Sequence, residues 1–154
     1  MIDKNTPKTY CRDGRAPIPK KPEISYLMSR ITAKNTKPEL LVRKLLWGQG
    51  IRGYRLHWEK APGRPDICFP SKKIAIFIHG CFWHSCPKCK PKLPKSHKVF
   101  WQQKLSKNVV RDKKKQLELE TGGWQVIIIW ECQVLTSPNI ILDAVSNAMK
   151  SSKT

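Results

Sequence analysis

The sequence has few acidic residues. Its 154 residues include 11 Asp and Glu against 30 Lys and Arg, which gives a formal net charge of +19 and an isoelectric point near 10.0. A field of this sign attracts polyanions, and nucleic acid is the usual partner of a basic protein. An anionic membrane surface is the competing partner, but the sequence lacks an amphipathic basic helix that could lie on lipid. The charge balance therefore favours a nucleic-acid-binding protein.

Long apolar segments are absent as well. No run approaches the roughly 20 apolar residues that span a bilayer, and the N-terminus stays polar through Lys21, unlike a secretory signal peptide. We therefore expect a cytoplasmic protein without membrane contact. In that compartment the six cysteines are expected to be metal ligands or free thiols rather than disulfides.

Length and composition predict one globular domain preceded by an arm. A chain of this size with 40% hydrophobic residues can bury roughly two thirds of its unfolded surface. Residues 1–24 contain four prolines and scattered basic residues, which indicates an irregular, flexible arm that is either solvated or lies along DNA. Residues 25–150 form the predicted domain, and the sequence has no internal repeats.

Three segments have the apolar spacing of helices. The first begins at Thr36, has Glu39 in the capping-box position and ends at Gly48. Its predicted apolar face consists of Leu40, Leu41, Leu45 and Leu46. The other helices are predicted over residues 97–120 and 138–149.

Four segments have the composition of strands. They cover residues 54–58, 66–69, 73–78 and 125–130. The last two are continuous β-branched and aromatic runs, typical of strands that are buried on both faces. The order of helices and strands predicts an α/β fold with a mixed central sheet flanked by helices.

Four of the six cysteines predict a structural zinc site, namely Cys81, Cys86, Cys89 and Cys132. Zinc takes four tetrahedral ligands, and a two-residue gap such as Cys-Pro-Lys-Cys lets both thiolates reach one ion. A thioredoxin-type redox pair and free thiols are the alternatives. Cys68 is expected to be buried strand filler, and Cys11 to be exposed and dispensable.

Asp66, His79 and His84 are candidates for phosphodiester cleavage. This reaction needs an activated water, a clamp on the phosphate and a proton donor for the leaving oxygen. Asp66 opens a strand and the two histidines follow the next strand, so the three can form a metal and acid–base cluster at one sheet edge. Two simpler interpretations stay open: Asp66 caps a turn, or His84 is one more zinc ligand.

Two acids on predicted helices could join this site or serve only their own helices. Glu39 is most simply a capping-box residue. Asp112 falls on one side of its helix with apolar Leu105 and Val109, and is most simply a partner of Lys115 or Arg111. Spacing alone leaves both roles open.

Two consecutive aromatic residues, Phe82 and Trp83, stand between the ligand-like Cys81 and His84. They could stack on a base or wedge between base pairs, or they could be hydrophobic staples under the zinc loop. From Cys86 to Lys115 the sequence has eleven Lys and Arg and a single acid. That basic run could follow a phosphate backbone or form a solvated helix face.

The segment His79-Gly-Cys-Phe-Trp-His84 resembles the very-short-patch repair (Vsr) mismatch endonucleases. Further similar segments follow in the same order as in that family: Gly63-Arg-Pro-Asp66 before it, and Lys107-Asn-Val-Val-Arg-Asp112 and Trp130-Glu-Cys132 after it. The resemblance covers roughly residues 28–132. It excludes the arm, and the last twenty residues match only loosely.

This resemblance implies a restriction-endonuclease-like core that nicks one strand of duplex DNA beside the T of a T·G mismatch, using magnesium. Such mismatches arise when 5-methylcytosine deaminates. The resemblance therefore implies a functional link to a cytosine-5 DNA methyltransferase and to repair proteins. It also implies a monomer in a prokaryotic cytoplasm, associated with the nucleoid.

The resemblance assigns roles to the candidate catalytic residues. Asp66 matches the magnesium-binding aspartate, and His84 matches the histidine proposed as the general acid–base group. His79 and Asp112 match a pair that positions the water bound to the metal. Glu39 matches a glutamate of an N-terminal helix near the active site.

The resemblance also assigns structural and DNA-contacting residues. Phe82 and Trp83, with Met28 from the opposite side, match the residues that wedge into DNA next to the mismatch. Cys81 and Cys132 match family zinc ligands. Where family members often have histidine among these ligands, this sequence offers Cys86 and Cys89, and a four-cysteine site holds zinc at least as firmly.

Ile78 is the main departure from the family pattern, because the family usually has Thr immediately before His-Gly-Cys. If this residue binds magnesium through its backbone carbonyl, as we expect at a strand end facing Asp66, Ile costs little. If the hydroxyl is the ligand, activity is in doubt. The restriction-enzyme PD-(D/E)xK pattern is also incomplete, since Phe77-Ile78-His79 replaces its second acid and lysine, as in Vsr enzymes.

Three other functions compete with mismatch nicking. The nearest is a restriction or nicking endonuclease on the same core that recognises an intact sequence. A non-catalytic zinc module that binds DNA through its basic run is the second. A redox protein is the third, and tightly bound zinc would exclude it.

Overall fold

A computed structural model describes Glu23, Tyr26, Leu27, Arg30 and residues 32–152. The chain divides into two compact units, residues 1–31 and 32–154, and the elements below belong to the second. Except for Glu23, the arm predicted over residues 1–24 lies outside the described residues, and so do Cys11 and Met28.

The second unit contains four strands and four α-helices among its described residues. In chain order they are α1 (Lys37–Gly48), β1 (Arg55–Leu56), β2 (Ile67–Phe69), a 3-10 turn (Pro70–Lys72), β3 (Ile74–His79), α2 (Lys98–Thr121), β4 (Gln125–Trp130), α3 (Glu131–Thr136) and α4 (Pro138–Ser151). None of these helices combines the length and the apolar character needed to cross a bilayer.

The strands form one mixed sheet in the order β1-β2-β3-β4. The pairs β1·β2 and β2·β3 are antiparallel, whereas β3·β4 is parallel from Ile74 opposite Gln125 to His79 opposite Trp130. The predicted α/β class with a mixed sheet and flanking helices is confirmed. A parallel pair requires a crossover connection, and α2 supplies it.

Successive side chains of β3 point to opposite faces of the sheet, and helices pack on both faces. Ile74, Ile76 and Ile78 belong to the main core with residues of α1 and α4. Ala75 packs on the opposite face with Leu119 of α2. Five of the six residues of β3 are buried, including His79. This burial confirms the interpretation of β3 as a strand covered on both sides.

The buried face of α1 differs from the predicted one. Val42 and Leu46 are fully buried and Glu39 is 3% exposed, whereas Leu40 is 50% exposed. Residues 39, 42 and 46 share one side of a helix, and Leu40 points elsewhere. The prediction that Leu40 belongs to the buried face was wrong. The four leucines are spread over more than one side of the helix, so their spacing alone does not identify the buried side. The buried stripe carries an acid into the protein.

The cap of α1 is only partly the predicted capping box. The Thr36 hydroxyl donates to Glu39 Oε1 at 2.8 Å, and the backbone N–H of Asn35 donates to Glu39 Oε2 at 2.9 Å. Thr36 makes no side-chain bond to the helix N-terminus. Glu39 therefore holds the segment that precedes the helix through Asn35, and the Thr36 hydroxyl orients the Glu39 carboxylate.

Two segments near the site differ from prediction. The strand predicted over residues 54–58 shortens to Arg55–Leu56, because His57 has a left-handed φ of 46°. The short helix α3, which carries Cys132, was not predicted. The turn before Asp66 needs glycine: Gly63 has φ 74°, and a Cβ there would lie 2.9 Å from the Lys115 side chain of α2.

We predict that Leu46→Ala lowers the free energy of unfolding by about 2–5 kcal/mol, because it opens a cavity in the core beneath the sheet. Leu40→Ala on the same helix is the matched control, and its effect should stay within about 0.5 kcal/mol. Urea denaturation monitored by circular dichroism measures both. Equal losses would contradict the burial assigned to these two leucines.

Candidate active site and metal centre

Three polar clusters meet at the end of the sheet where β3 finishes. The parallel register places His79 beside Trp130, so the segments that follow β3 and β4 emerge together. The antiparallel strand β2 begins at the same edge, with Ile67 opposite Ile76. Asp66 immediately precedes it and accepts a hydrogen bond from the Ile78 backbone N–H at 2.7 Å.

The first cluster contains Glu39, His57 and Asp66, whose ligand atoms lie within 4.8 Å of one another. His57 Nε2 is 3.5 Å from Glu39 Oε2, and His57 Nδ1 is 3.7 Å from Asp66 Oδ1. Arg43 donates to Glu39 Oε2 at 3.2 Å. Asp66 is therefore more than a turn cap, and Glu39 belongs to the site as well as to its helix.

The site strongly perturbs the titration of Asp66. Burial raises the pKa of Asp66 to about 6, the charge of Glu39 adds to this shift, and the hydrogen bond from Ile78 opposes it. Burial lowers the pKa of His57, and the nearby Glu39 opposes that change. Two acids in a half-buried site without a full counter-charge are suited to a hard cation, which takes carboxylate oxygens.

The second cluster contains His79, His84 and Asp112. Asp112 Oδ2 lies 2.5 Å from His84 Nδ1, and the rings of His79 and His84 are stacked 4.0 Å apart at an interplanar angle of 7°. Trp130 packs edge-on against His79 at 5.3 Å. Asp112 therefore faces the site across the sheet end, rather than pairing with Lys115 or Arg111.

Stacking limits how the two rings of this potential metal-binding group could bind a single ion. Nitrogen lone pairs lie in the imidazole plane, so two nearly parallel rings cannot both direct a lone pair at one ion. Burial lowers the pKa of His79 to about 4, with the neighbouring His84 contributing. His79 is consequently neutral near pH 7, while His84 has a carboxylate to orient its ring.

The third cluster contains the four predicted cysteines, Cys81, Cys86, Cys89 and Cys132, and it could hold a metal ion. The Sγ atoms of Cys86 and Cys132 are 3.9 Å apart, and those of Cys81 and Cys89 are 3.7 Å apart. A tetrahedron with metal–sulfur bonds of about 2.3 Å has edges of about 3.8 Å. A disulfide needs about 2.05 Å, so these separations suit a shared ion. His84 is not part of this group.

Glu131 connects the cysteine cluster to β4. Its carboxylate accepts a hydrogen bond from the Cys81 backbone N–H at 3.1 Å, and it stands between Trp130, which touches His79, and Cys132. Burial raises the pKa of the Cys81 thiol above its usual range. A thiophilic cation would displace that proton on binding.

The paired aromatics pack on α2 beside the histidines. Phe82 and Trp83 contact Trp101 at centroid distances of 5.5 and 5.9 Å, and Lys104 Nζ lies 5.6 Å from the Trp83 ring. Asn108 donates to the Trp83 backbone carbonyl at 3.0 Å. All three aromatic side chains stay half-buried. Of the eleven basic residues between positions 86 and 115, all except Lys104 and Lys115 are exposed.

The structure thus brings together every described residue that the sequence singled out, and it adds several others. His57, Arg43, Trp101 and Asn108 were missed. His57 carried no spacing signal because it stood inside a predicted strand. Asn108 stood within the Lys107–Asp112 motif, which is the signal that could have found it.

Comparison with known proteins gives a consistent set of relatives. A family model described as DNA mismatch endonuclease Vsr matches residues 18–90. The DNA mismatch endonuclease Vsr of Escherichia coli K12 is 39% identical over 105 residues, 68% of this chain and 67% of the relative. Two type II nicking enzymes are also similar. V.XorIIP of Xanthomonas oryzae is 44% identical over 71% of this chain and 79% of the relative, and V.NmeAIP of Neisseria meningitidis serogroup A is 48% identical over 71% and 78%.

We predict that Asp66→Asn stabilises the protein at pH 7. Because the pKa of Asp66 rises from 3.8 to about 6 on folding, the native carboxyl is favoured while protonated, and stability falls as pH rises from about 4 to 6. The uncharged Asn side chain does not ionise, so the Asp66→Asn variant does not lose stability over this pH range. It should raise the free energy of unfolding by about 1–3 kcal/mol at pH 7 and leave it unchanged below about pH 4.

Urea denaturation without added magnesium measures this difference at both pH values. Asp143→Asn on α4 is the control, since Asp143 is exposed and its neutralisation should change stability by less than about 0.5 kcal/mol. An Asp66→Asn variant less stable than the wild type at pH 7 would show that the site does not destabilise the charged carboxylate.

Proposed function

This chain belongs to the Vsr family of DNA mismatch endonucleases, and on that basis we propose that it nicks one strand of duplex DNA beside the T of a T·G mismatch in a magnesium-dependent reaction. One observation carries the proposal. Asp66 accepts a hydrogen bond from Ile78 near the end of β3, and His79, the last residue of β3, stacks on His84, which pairs with Asp112. An acidic cation site beside an acid–base pair is what hydrolysis of a phosphodiester requires.

Glu39 and Asp66 fit a magnesium ion, which prefers carboxylate oxygens. Bound there, magnesium would activate a water molecule and neutralise charge on the phosphate. Ile78 would add its backbone carbonyl. In a strand, the N–H and C=O of one residue point to the same side, and the Ile78 N–H points to Asp66. The family's usual Thr hydroxyl is then dispensable.

His84 serves as the general acid–base group, with Asp112 fixing its ring and favouring one tautomer. His79 lies parallel to His84 and is neutral near pH 7, so it holds the His84 ring in plane without adding a competing charge. Together with Asp112 it positions the attacking water. A proton can pass from that water or to the leaving oxygen through His84.

Phe82 and Trp83 wedge into the DNA beside the mismatch, with Met28 entering from the other side. Their half-buried position beside Trp101 supports this role, since a supported ring can unstack a base step without collapsing. The exposed basic residues between positions 86 and 115 would follow the phosphate backbone.

Cys81, Cys86, Cys89 and Cys132 fit a structural zinc ion. The observed sulfur separations match the edges of a tetrahedral four-thiolate site. A closed site of this kind leaves no open position for substrate, so its role is to fasten the histidine loop to α3 at the end of β4. The reaction would take place at the acidic site of Glu39 and Asp66.

The rest of the proposal concerns organisation and context. We assign residues 25–150 to one endonuclease domain with a restriction-endonuclease-like core, and residues 1–24 to a basic arm. The enzyme would act as a monomer in a bacterial cytoplasm, associated with the nucleoid. Because T·G mismatches form by deamination of 5-methylcytosine, it would work with a cytosine-5 DNA methyltransferase and with repair proteins.

We predict that the protein nicks T·G duplexes in magnesium and leaves matched T·A duplexes largely intact. Asp66→Ala should lower the nicking rate at least about 10³-fold because the cation site is lost, while DNA binding is retained. His84→Ala should lower it about 10²–10⁴-fold. Single-turnover nicking of labelled duplexes in several sequence contexts, with a binding assay in parallel, measures these effects.

Other outcomes would identify the competing functions. Equal nicking of T·G and T·A duplexes in one context would identify an endonuclease that recognises an intact sequence. Two relatives bear the name of type II nicking enzymes, which makes this the nearest alternative. DNA binding without nicking, unaffected by Asp66→Ala, would identify a non-catalytic module.

We predict about one zinc ion per purified chain, and loss of most of it in Cys86→Ser, because a four-ligand site is disrupted by removing one ligand. The melting temperature should also fall, because metal binding stabilises the folded state, and each kcal/mol of lost stability lowers it by about 2–4 °C in a domain of this size. Cys68→Ala is the control. Burial raises the pKa of this strand thiol to about 11, and its removal should leave the zinc content unchanged. Elemental analysis reporting no zinc in the wild type would refute the assignment.

A further inference from the structure

His57 faces both carboxylates of the acidic cluster, and the ligand atoms of all three residues lie within 4.8 Å of one another. Its Nε2 edge faces Glu39 at 3.5 Å and its Nδ1 edge faces Asp66 at 3.7 Å, and only 15% of the side chain is exposed. Glu39 comes from α1, whereas Asp66 comes from the start of β2. The imidazole therefore contacts both parts of the chain that form the acidic cluster.

A hydrogen bond to Arg43 orients this ring. Arg43 Nη2 lies 3.3 Å from His57 Nε2 and 3.2 Å from Glu39 Oε2. A guanidinium can only donate, so Nε2 accepts, and in the neutral ring the proton resides on Nδ1. That nitrogen is on the edge that faces Asp66 Oδ1 at 3.7 Å. Arg43 thus links His57 to Glu39 by hydrogen bonds, and the other edge of the ring lies near Asp66.

The backbone at His57 is also unusual. Its φ of 46° lies in the left-handed region, which non-glycine residues seldom occupy, and its N–H donates to the Asp66 carbonyl at 3.3 Å. This conformation ends β1 after two residues and turns the side chain to the site. A sparsely populated conformation kept at a polar cluster is a recurring feature of functional sites.

We propose that His57 is a positioning residue of the endonuclease reaction, which spaces Glu39 and Asp66 so that both carboxylates reach one divalent cation. This rests on the proposed magnesium site. His57 is not assigned as a ligand, because magnesium prefers oxygen and Nε2 already accepts from Arg43. Without the spacer, the two acids lose their separation and the site binds the cation more weakly.

Two isosteric variants separate the two edges of the ring. Asn places an amide nitrogen near Nδ1 and tolerates a left-handed φ, so His57→Asn keeps the arm toward Asp66. Gln reaches the position of Nε2, so His57→Gln keeps only the acceptor for Arg43 on the Glu39 side. His97→Asn is the matched control, because His97 also has a left-handed φ, of 55°, and is exposed.

The first measurement is the affinity of the zinc-loaded protein for manganese in the absence of DNA. Electron paramagnetic resonance monitors the binding. His57→Ala should weaken binding about 10-fold or more, as expected for loss of a residue that orients ligands. His57→Asn should recover part of the affinity, and His97→Asn should match the wild type. The second measurement is the magnesium dependence of nicking, where His57→Ala should raise the half-saturating concentration more than it lowers the rate at saturation.

Unchanged manganese affinity and magnesium dependence in His57→Ala would overturn the proposal. So would an equal loss in His57→Ala and His57→Asn accompanied by a lower melting temperature, since that pattern marks a purely structural residue. The manganese titration needs no DNA, so a wrong assignment of the mismatch leaves it valid. Wild-type affinity that survives Asp66→Ala would overturn both this proposal and the magnesium site.

Discussion

The parallel pairing of β3 with β4 is the constraint on which the rest of this structure depends. It joins Ile74–His79 to Gln125–Trp130 along their whole length. Parallel strands need a crossover connection, and the helix α2 lies in the segment that makes it. That crossover carries Asp112 back across the sheet end to His84. The same register places Cys132 beside the loop that holds Cys81, Cys86 and Cys89. A shift by one residue would turn His79 to the opposite face and separate these groups.

Three clusters at one end of the sheet stay distinct because their atoms suit different chemistry. Four sulfurs favour a soft or borderline cation and carboxylates favour a hard one, whereas two stacked imidazoles cannot both direct a lone pair at one ion. The shortage of acids strengthens this division. Of the acidic residues that the structure describes, four lie at this end of the sheet: Glu39, Asp66, Asp112 and Glu131. A surface with this excess of positive charge attracts polyanions.

Much of the fold followed from local pattern. The strands over residues 74–79 and 125–130 and the long helix were predictable because continuous β-branched runs and helical spacing leave strong local signals. Only the first of these strands is buried on both faces, since a single residue of β4, Ile129, is buried. The predictions failed where contacts with other elements of the fold determine the local structure. Leu40 and Leu46 look alike in sequence, but only the second meets the sheet. The end of β1 depends on the left-handed backbone of His57, and α3 is too short to have a periodicity.

The sequence by itself determined the basic charge, the four-cysteine set, the family resemblance and the candidate residues Asp66, His79 and His84, because each of these resides in residue identity and spacing. Tertiary structure alone decided which groups meet. Whether Asp112 bonds His84 or a lysine on its own helix, and whether Glu39 serves only a cap, depends on how separate elements pack. The same holds for His57, a lone histidine in sequence. It became part of the site because α1 and β2 bring one carboxylate to each edge of its ring, a coincidence in space that no local pattern encodes.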